Sequence, residues 1–185
     1  MKAAILKEKK YTYQDYLHFP DNERWEIIDG IAYDMSPAPK IKHQRIVSKL
    51  DRILGNLVEE HGCTLFIAPT DVVFDNFNVV QPDVFVVCDK SKITVDNIQG
   101  APDLIIEVIS KSTSLTDRRD KKKLYEKFGV EEYIMVYPDN NYVERYTLKN
   151  WKYEPAESYR WNEIIKLNLF NIEIRLWEIF EKDVV

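Results

Sequence analysis

Pro102-Asp103-Leu104-Ile105-Ile106-Glu107-Val108-Ile109-Ser110 is an aliphatic run with a single carboxylate, Glu107, set inside it. Its apolar residues neither alternate with polar ones nor repeat at helical spacing. The run therefore predicts a central strand over Leu104 to Ile109, covered on both faces. Such a strand normally excludes Glu, because an unpaired charge is costly to desolvate. A second stretch, Gln81-Pro82-Asp83-Val84-Phe85-Val86-Val87, has the same character and places Asp83 at the mouth of a valine-rich strand. Two such segments suggest carboxylates gathered at a strand edge or end, where a divalent metal could hold them. A helix from about Thr116 to Phe128, ending at Gly129, then brings cations to the same region.

Working outward, Thr12 is placed to cap a short helix through about Phe19, with Asp15 as its acidic partner. Asp29-Gly30 between Arg24 to Ile28 and Ile31 to Met35 is the strongest hairpin signal. Ile46, Leu50, Ile53, Leu54 and Leu57 recur at helical spacing, predicting a long helix from about Lys42 to Glu60. Short strands are expected at Leu65 to Pro69, Val72 to Phe74 and Asn78 to Val80, and a loop that could hold a short turn over Lys90 to Gly100. Glu132 to Tyr137 reads as a strand, followed by a hairpin of Tyr142 to Leu148 with Trp151 to Glu154. The tail, Ile164 to Leu167 and Ile174 to Phe180, is expected to supply an edge strand and a short helix. This order favours an α/β or mixed α+β sandwich around a mixed sheet.

The 185 residues suit one domain with one substantial core, taken as spanning 1–185. The formal charge of -5 argues against a broad nucleic-acid-coating surface, although local fields matter more than the sum. Charge is uneven, with seven basic and three acidic residues between Lys111 and Lys127. Cys63 and Cys88 lie in apolar surroundings and read as reduced, buried thiols; no Cys-His spacing suggests zinc. The apolar run at the start is too short for a secretory signal, and no stretch reaches the roughly 18 apolar residues of a membrane span. Cytoplasmic residence without membrane association is the default expectation.

Asp83 and Glu107 together make an oxygen-rich pair suited to Mg2+ or Mn2+, with Glu26 in Trp25-Glu26-Ile27-Ile28-Asp29-Gly30 as a third metal-side carboxylate. Each has an ordinary reading as well: a strand cap for Asp83, an ion pair for Glu107. Asp117, Lys121 and Tyr125 recur every four residues and share a helix face. Lys121 could reach the carboxylates, orient an attacking water and stabilise phosphate charge, or simply pair with Asp117. Lys122 and Lys123 point around the helix, which makes them weaker catalytic candidates that could meet DNA phosphates. His43 opens the first long helix and could contact phosphate or water, or be a hydrogen-bonded core histidine. Ser110 and Lys111 could line the mouth of the site, or simply form the strand-to-helix turn. No phosphate-cradling Gly-rich motif occurs.

With these residues in place, the chain resembles the Uma2 family of restriction-endonuclease-like proteins, related to the PD-(D/E)XK nuclease superfamily. The resemblance runs from Trp25-Glu26-Ile27-Ile28-Asp29-Gly30 through Pro37-Ala38-Pro39 with His43 and Gln81-Pro82-Asp83. It continues over Pro102 to Ser110, Asp117, Lys121 and Tyr125, and Gly129-Val130-Glu131-Glu132-Tyr133. It implies a restriction-endonuclease-like central mixed sheet flanked by helices. It also implies a divalent-metal centre of Glu26, Asp83 and Glu107, with Lys121 as the catalytic lysine. The chain departs from the usual superfamily signature after Glu107, where Val108-Ile109 stands in place of X-Lys; the resemblance to Uma2 proteins implies that the comparable lysine sits on the following helix, as Lys121 does. The function expected is hydrolysis of DNA phosphodiesters, by a protein compatible with a homodimer. The alternative is a noncatalytic nucleic-acid-binding or assembly module that retains the fold.

Overall fold

The computed structural model describes residues 9–20, 22–35, 38–110 and 116–183. A four-residue helix, α1 (Tyr13–Tyr16), opens it. Thr12 caps this helix in a full capping box with Asp15, as the sequence predicts. The hairpin β1 (Trp25–Ile28) and β2 (Ile31–Asp34) turns on Asp29 and Gly30, whose φ values of 51° and 80° are both left-handed. This is the backbone that Asp-Gly provides for a tight hairpin. The long helix α2 spans Ile41–Glu60 and buries Ile46, Val47, Leu50, Leu54 and Val58 along one stripe.

Four strands follow: β3 (Thr64–Ile67), β4 (Val72–Asp75), β5 (Asn78–Val80) and β6 (Val84–Val87). The segment expected as a loop holds a short 3-10 turn at Lys90–Lys92 and a two-residue strand, β7 (Ile98–Gln99). The central strand is β8 (Leu104–Val108). The helix expected after it begins as a π-helical turn, Thr116–Lys121, and becomes regular only in α3 (Lys122–Phe128). α3 stops at Gly129, whose φ is 83°; a Cβ there would stand 2.9 Å from the Trp151 ring. Glycine is required by both the backbone and the close approach. The chain continues through β9 (Glu132–Tyr137), β10 (Tyr142–Lys149), β11 (Lys152–Tyr153), β12 (Glu157–Arg160), β13 (Ile164–Lys166), β14 (Glu173–Arg175) and α4 (Leu176–Phe180).

The strands form two main sheets. A seven-stranded mixed sheet has the order β11-β10-β9-β8-β6-β3, with β12 also on β10; a five-stranded sheet runs β2-β1-β5-β4-β7. β8 and β9 are parallel, whereas β6 runs antiparallel to β8. The tail differs from expectation, since β13 and β14 pair with each other rather than edging a main sheet. Hydrophobic burial drives them there, because Ile165, Ile174, Leu176, Ile179 and Phe180 all join the core beneath α2.

Alternation along β8 sorts its neighbours onto two faces. Leu104, Ile106 and Val108 pack with α2 and the tail in an aliphatic layer. Ile105 and Ile109 face the five-stranded sheet and α3, in a layer that contains Tyr125, Tyr133, Tyr137 and Tyr146. Glu107 lies between Ile105 and Ile109 and so enters this second, aromatic layer.

The cysteines require a correction. Cys63 and Cys88 form a disulfide with an S–S distance of 2.04 Å. β3 and β6 pair Thr64 with Val87, and one further antiparallel step sets the cysteines opposite each other. That juxtaposition comes from strand pairing across 25 residues of sequence, which spacing alone does not disclose. No helix among the described residues is long and apolar enough to cross a membrane.

Candidate active site

Four strand and helix elements converge near the C-terminal end of β8. β1 brings Glu26, the start of β6 brings Asp83, β8 brings Glu107, and the junction of the π-helical turn with α3 brings Lys121. The Lys121 ammonium lies 2.8 Å from Glu26 Oε1 and 3.0 Å from Glu107 Oε1. Tyr125 donates its hydroxyl to the same Glu107 oxygen at 2.7 Å. Lys121 and Tyr125 thus share the helix face that their spacing implies. The cluster is deeply buried, with side-chain exposures of 0% for Glu26, 5% for Glu107 and 2% for Lys121.

Asp83 stands beside this group and has different partners. Its Oδ2 accepts from the Val108 backbone N–H at 2.8 Å and lies 3.0 Å from His43 Nε2. The β6–β8 ladder pairs Val84 with Ile106, so one more antiparallel step sets Asp83 opposite Glu107. Directly opposed residues in such a pair have Cα atoms roughly 4.5–5.5 Å apart and side chains on the same face. The four residues therefore gather at one end of the sheet. Glu26 and Glu107 meet on a buried ammonium rather than along an open cleft, whereas Asp83, 17% exposed, and His43, 11% exposed, approach the surface.

The three carboxylates expected to form a metal centre have different partners. Glu26 and Glu107 converge on Lys121, whereas Asp83 is turned toward His43. Among the described residues no group of three His, Cys, Asp or Glu side chains surrounds a single point. Two atoms in the region nonetheless lack partners among the described residues: Glu26 Oε2 and His43 Nδ1 are both buried without a hydrogen bond. Such orphans are uncommon in folded proteins and mark places where a further group can be received.

Behind the site lies a support that the sequence reading missed. The Gln81 backbone N–H donates to Glu26 Oε1 at 2.9 Å. The Gln81 side chain accepts two bonds from Arg24, at 2.9 and 2.8 Å, and donates to Asp71 at 2.9 Å. Tyr16 of α1 completes the set through a 2.7 Å bond to Asp71. Burial pushes the Tyr16 phenol pKa up, and the bond to Asp71 adds to the shift. The only sequence signal for this network was a glutamine ahead of Pro82-Asp83, since its partners lie 10 to 65 residues away.

The remaining candidates are dispersed. Ser110 is half-buried two residues after β8. Lys122 places its ammonium 4.1 Å from the centre of the Tyr146 ring. Together with Arg119, Lys123 and Glu126 it lines a cavity of about 230 Å³. Lys111 and the side chain of Asp117 lie outside the described residues.

The Uma2 family, described as "Putative restriction endonuclease", matches residues 12–176. An uncharacterised protein of Synechocystis sp. is 28% identical over 131 residues, which is 69% of this chain and 68% of that protein. A crystal structure of a "putative nuclease belonging to DUF820" from Anabaena variabilis superposes with a TM-score of 0.77. It covers 92% of this chain and 97% of its own, at 19% identity, and so speaks to the fold.

Proposed function

We propose that this chain, which belongs to the Uma2 family, is a divalent-metal-dependent endonuclease that hydrolyses DNA phosphodiesters at the β8 end of its mixed sheet. The observation that carries this reading is the meeting of Glu26, Glu107 and Lys121, with Asp83 set opposite Glu107. The donors available are hard carboxylate oxygens, the type that Mg2+ and Mn2+ prefer. The unpartnered Glu26 Oε2 supports the same fit. Asp83 and Glu107 would hold the ion, with Glu26 alongside. When bound, such an ion supplies polarisation of the phosphate and acidification of a coordinated water.

The protein's own residues supply positioning and charge. Tyr125 fixes one oxygen of Glu107, the Gln81 N–H fixes one of Glu26, and the Val108 N–H fixes one of Asp83. Side chains held this way present a preorganised set of charges to the scissile group. Lys121 would orient the attacking water and stabilise the charge that grows on phosphate. Arg119, Lys122 and Lys123 line a separate cavity on the same helical segment and would receive the DNA backbone, a contact that sets register without encoding sequence. One catalytic unit over 1–185 and a homodimer on a two-site duplex complete the proposal.

The depth of the Glu26–Lys121–Glu107 cluster favours a second reading, a noncatalytic nucleic-acid-binding module that keeps the fold. Incubation of single- and double-stranded DNA with Mg2+, Mn2+ or EDTA separates the two. Metal-dependent products from the wild type, absent with Glu107→Ala, are the expected result. DNA binding by folded wild type with no products under any metal would replace the nuclease by the module.

A further inference from the structure

The Lys121 ammonium sits where its two carboxylate partners would otherwise repel each other. A divalent cation drawn to those oxygens must contend with a cation already placed among them. We propose that Lys121 is a removable internal counter-ion that holds the site closed and is displaced from Glu107 when the metal enters. The proposal rests on the metal-dependent reading above and adds a regulatory step to it.

Three observations support it. First, the ammonium contacts one oxygen of each glutamate at 2.8 and 3.0 Å and is only 2% exposed, so it is an inner member of the cluster. Second, Glu26 and Glu107 each place one oxygen on this ammonium, and Glu26 Oε2 is buried with no partner among the described residues. A buried carboxylate with an unsatisfied oxygen is costly, so the cluster favours a cation of higher charge. Third, Lys121 is the last residue of a π-helical turn and immediately precedes α3. π-helical turns are rare alternatives to the α-helix and concentrate at functional sites. Lys121 itself has α-helical φ and ψ of -63° and -42°, so its ammonium leaves Glu107 by side-chain rotation, while Tyr125, inside α3, keeps its bond to Glu107. The released ammonium then becomes available to the substrate phosphate, so one residue both closes the site and serves the reaction.

Mn2+ titration followed by electron paramagnetic resonance on the full chain tests the idea without relying on cleavage. Lys121→Met keeps the length of the side chain and removes its charge. If the closed form holds most molecules, its removal tightens Mn2+ binding by about 10- to 100-fold, the factor by which a minor competent state weakens apparent affinity. Unchanged or weaker binding by Lys121→Met overturns the displacement while leaving the metal reading standing. Mn2+ bound by wild type but lost in Asp83→Asn locates the ion as proposed. Absence of binding by wild type and Lys121→Met alike overturns both readings.

Lys121→Met leaves two carboxylates without their cation and can fail to fold, so a wild-type measurement accompanies it. Amine acylation read by mass spectrometry is expected to spare the buried Lys121 until Mn2+ is added, then to label it about tenfold faster. An unchanged rate in protein that has bound Mn2+ overturns the proposal.

Discussion

Glu107 and Glu132 are both glutamates buried in the central sheet, and they stand at opposite ends of the parallel pair β8–β9. The ladder matches Leu104 with Glu132 at one end and Glu107 with Met135 near the other. Glu107 is bound by side chains, the Lys121 ammonium and the Tyr125 hydroxyl. Glu132 is bound mainly by backbone, taking the Asn168 N–H at 3.2 and 3.1 Å and the Leu169 N–H at 3.5 Å. Arg145 adds a 3.5 Å ion pair to it. A carboxylate tied to backbone fastens a loop and is not free to exchange partners. One that shares a lysine with a second carboxylate can do so. The same residue type therefore fastens a loop at one end and, in the function proposed, serves the chemistry at the other.

The largest effect that tests this contrast is on cleavage. Glu107→Gln keeps the shape and leaves the Glu26–Lys121 pair intact, so the protein should remain folded. Cleavage under Mg2+ or Mn2+ should fall by a factor on the order of 10² to 10⁴, the range for loss of one group acting on the reacting centre. Wild-type rates from folded Glu107→Gln would remove Glu107 from the chemistry and dissolve the comparison. Glu132→Ala is the mirror case. It strips a buried acceptor from two backbone donors and should destabilise the protein by about 1–3 kcal/mol in urea unfolding. Cleavage per folded molecule should be unchanged.

The architecture was open to sequence reading wherever a local signal existed. Asp29-Gly30 marked the hairpin, the apolar spacing of Ile46, Leu50 and Leu54 marked α2, and the unbroken aliphatic run marked β8. Features made by pairing distant strands were closed to it. The Cys63–Cys88 disulfide and the pairing of β13 with β14 follow from register and shared burial, not from spacing. Glu107 stood out because it interrupts an apolar strand. Glu132 opens its strand after Gly129-Val130-Glu131, in a setting that looks like an exposed turn, and its burial depends on a loop 36 residues downstream. Glu26 was read as a third metal-side carboxylate and the family resemblance pointed the same way, but nothing local in β1 points toward β8.

Tyr125→Phe gives a smaller and more selective test. It removes a 2.7 Å bond to Glu107 from a fully buried ring but keeps the ring's packing against Phe74 and Tyr133. A hydrogen bond to a charged acceptor contributes about 1.5–3 kcal/mol. If Glu107 is held for function, cleavage should drop along with stability, since the carboxylate loses its orientation. A loss of stability with cleavage per folded molecule intact would place Tyr125 with the fastening residues instead.

The subtlest test concerns how Glu132 responds to pH. Burial raises its pKa above the ordinary 4.5, although the Asn168 and Leu169 N–H groups and Arg145 pull the other way. The folded protein then holds a proton on Glu132 more tightly than the unfolded chain does. This contribution to stability is fully present below pH 4.5 and is lost as pH rises through the higher folded value. Glu132→Gln does not titrate, so it isolates the effect. In paired urea unfolding, the wild type should lose ground to Glu132→Gln between about pH 4.5 and neutrality. The opposite trend would mean that the backbone donors outweigh burial and that Glu132 is stabilised as an anion. The nature of the partners, a lysine side chain and a tyrosine against a backbone turn, would then be what separates the two ends of the sheet.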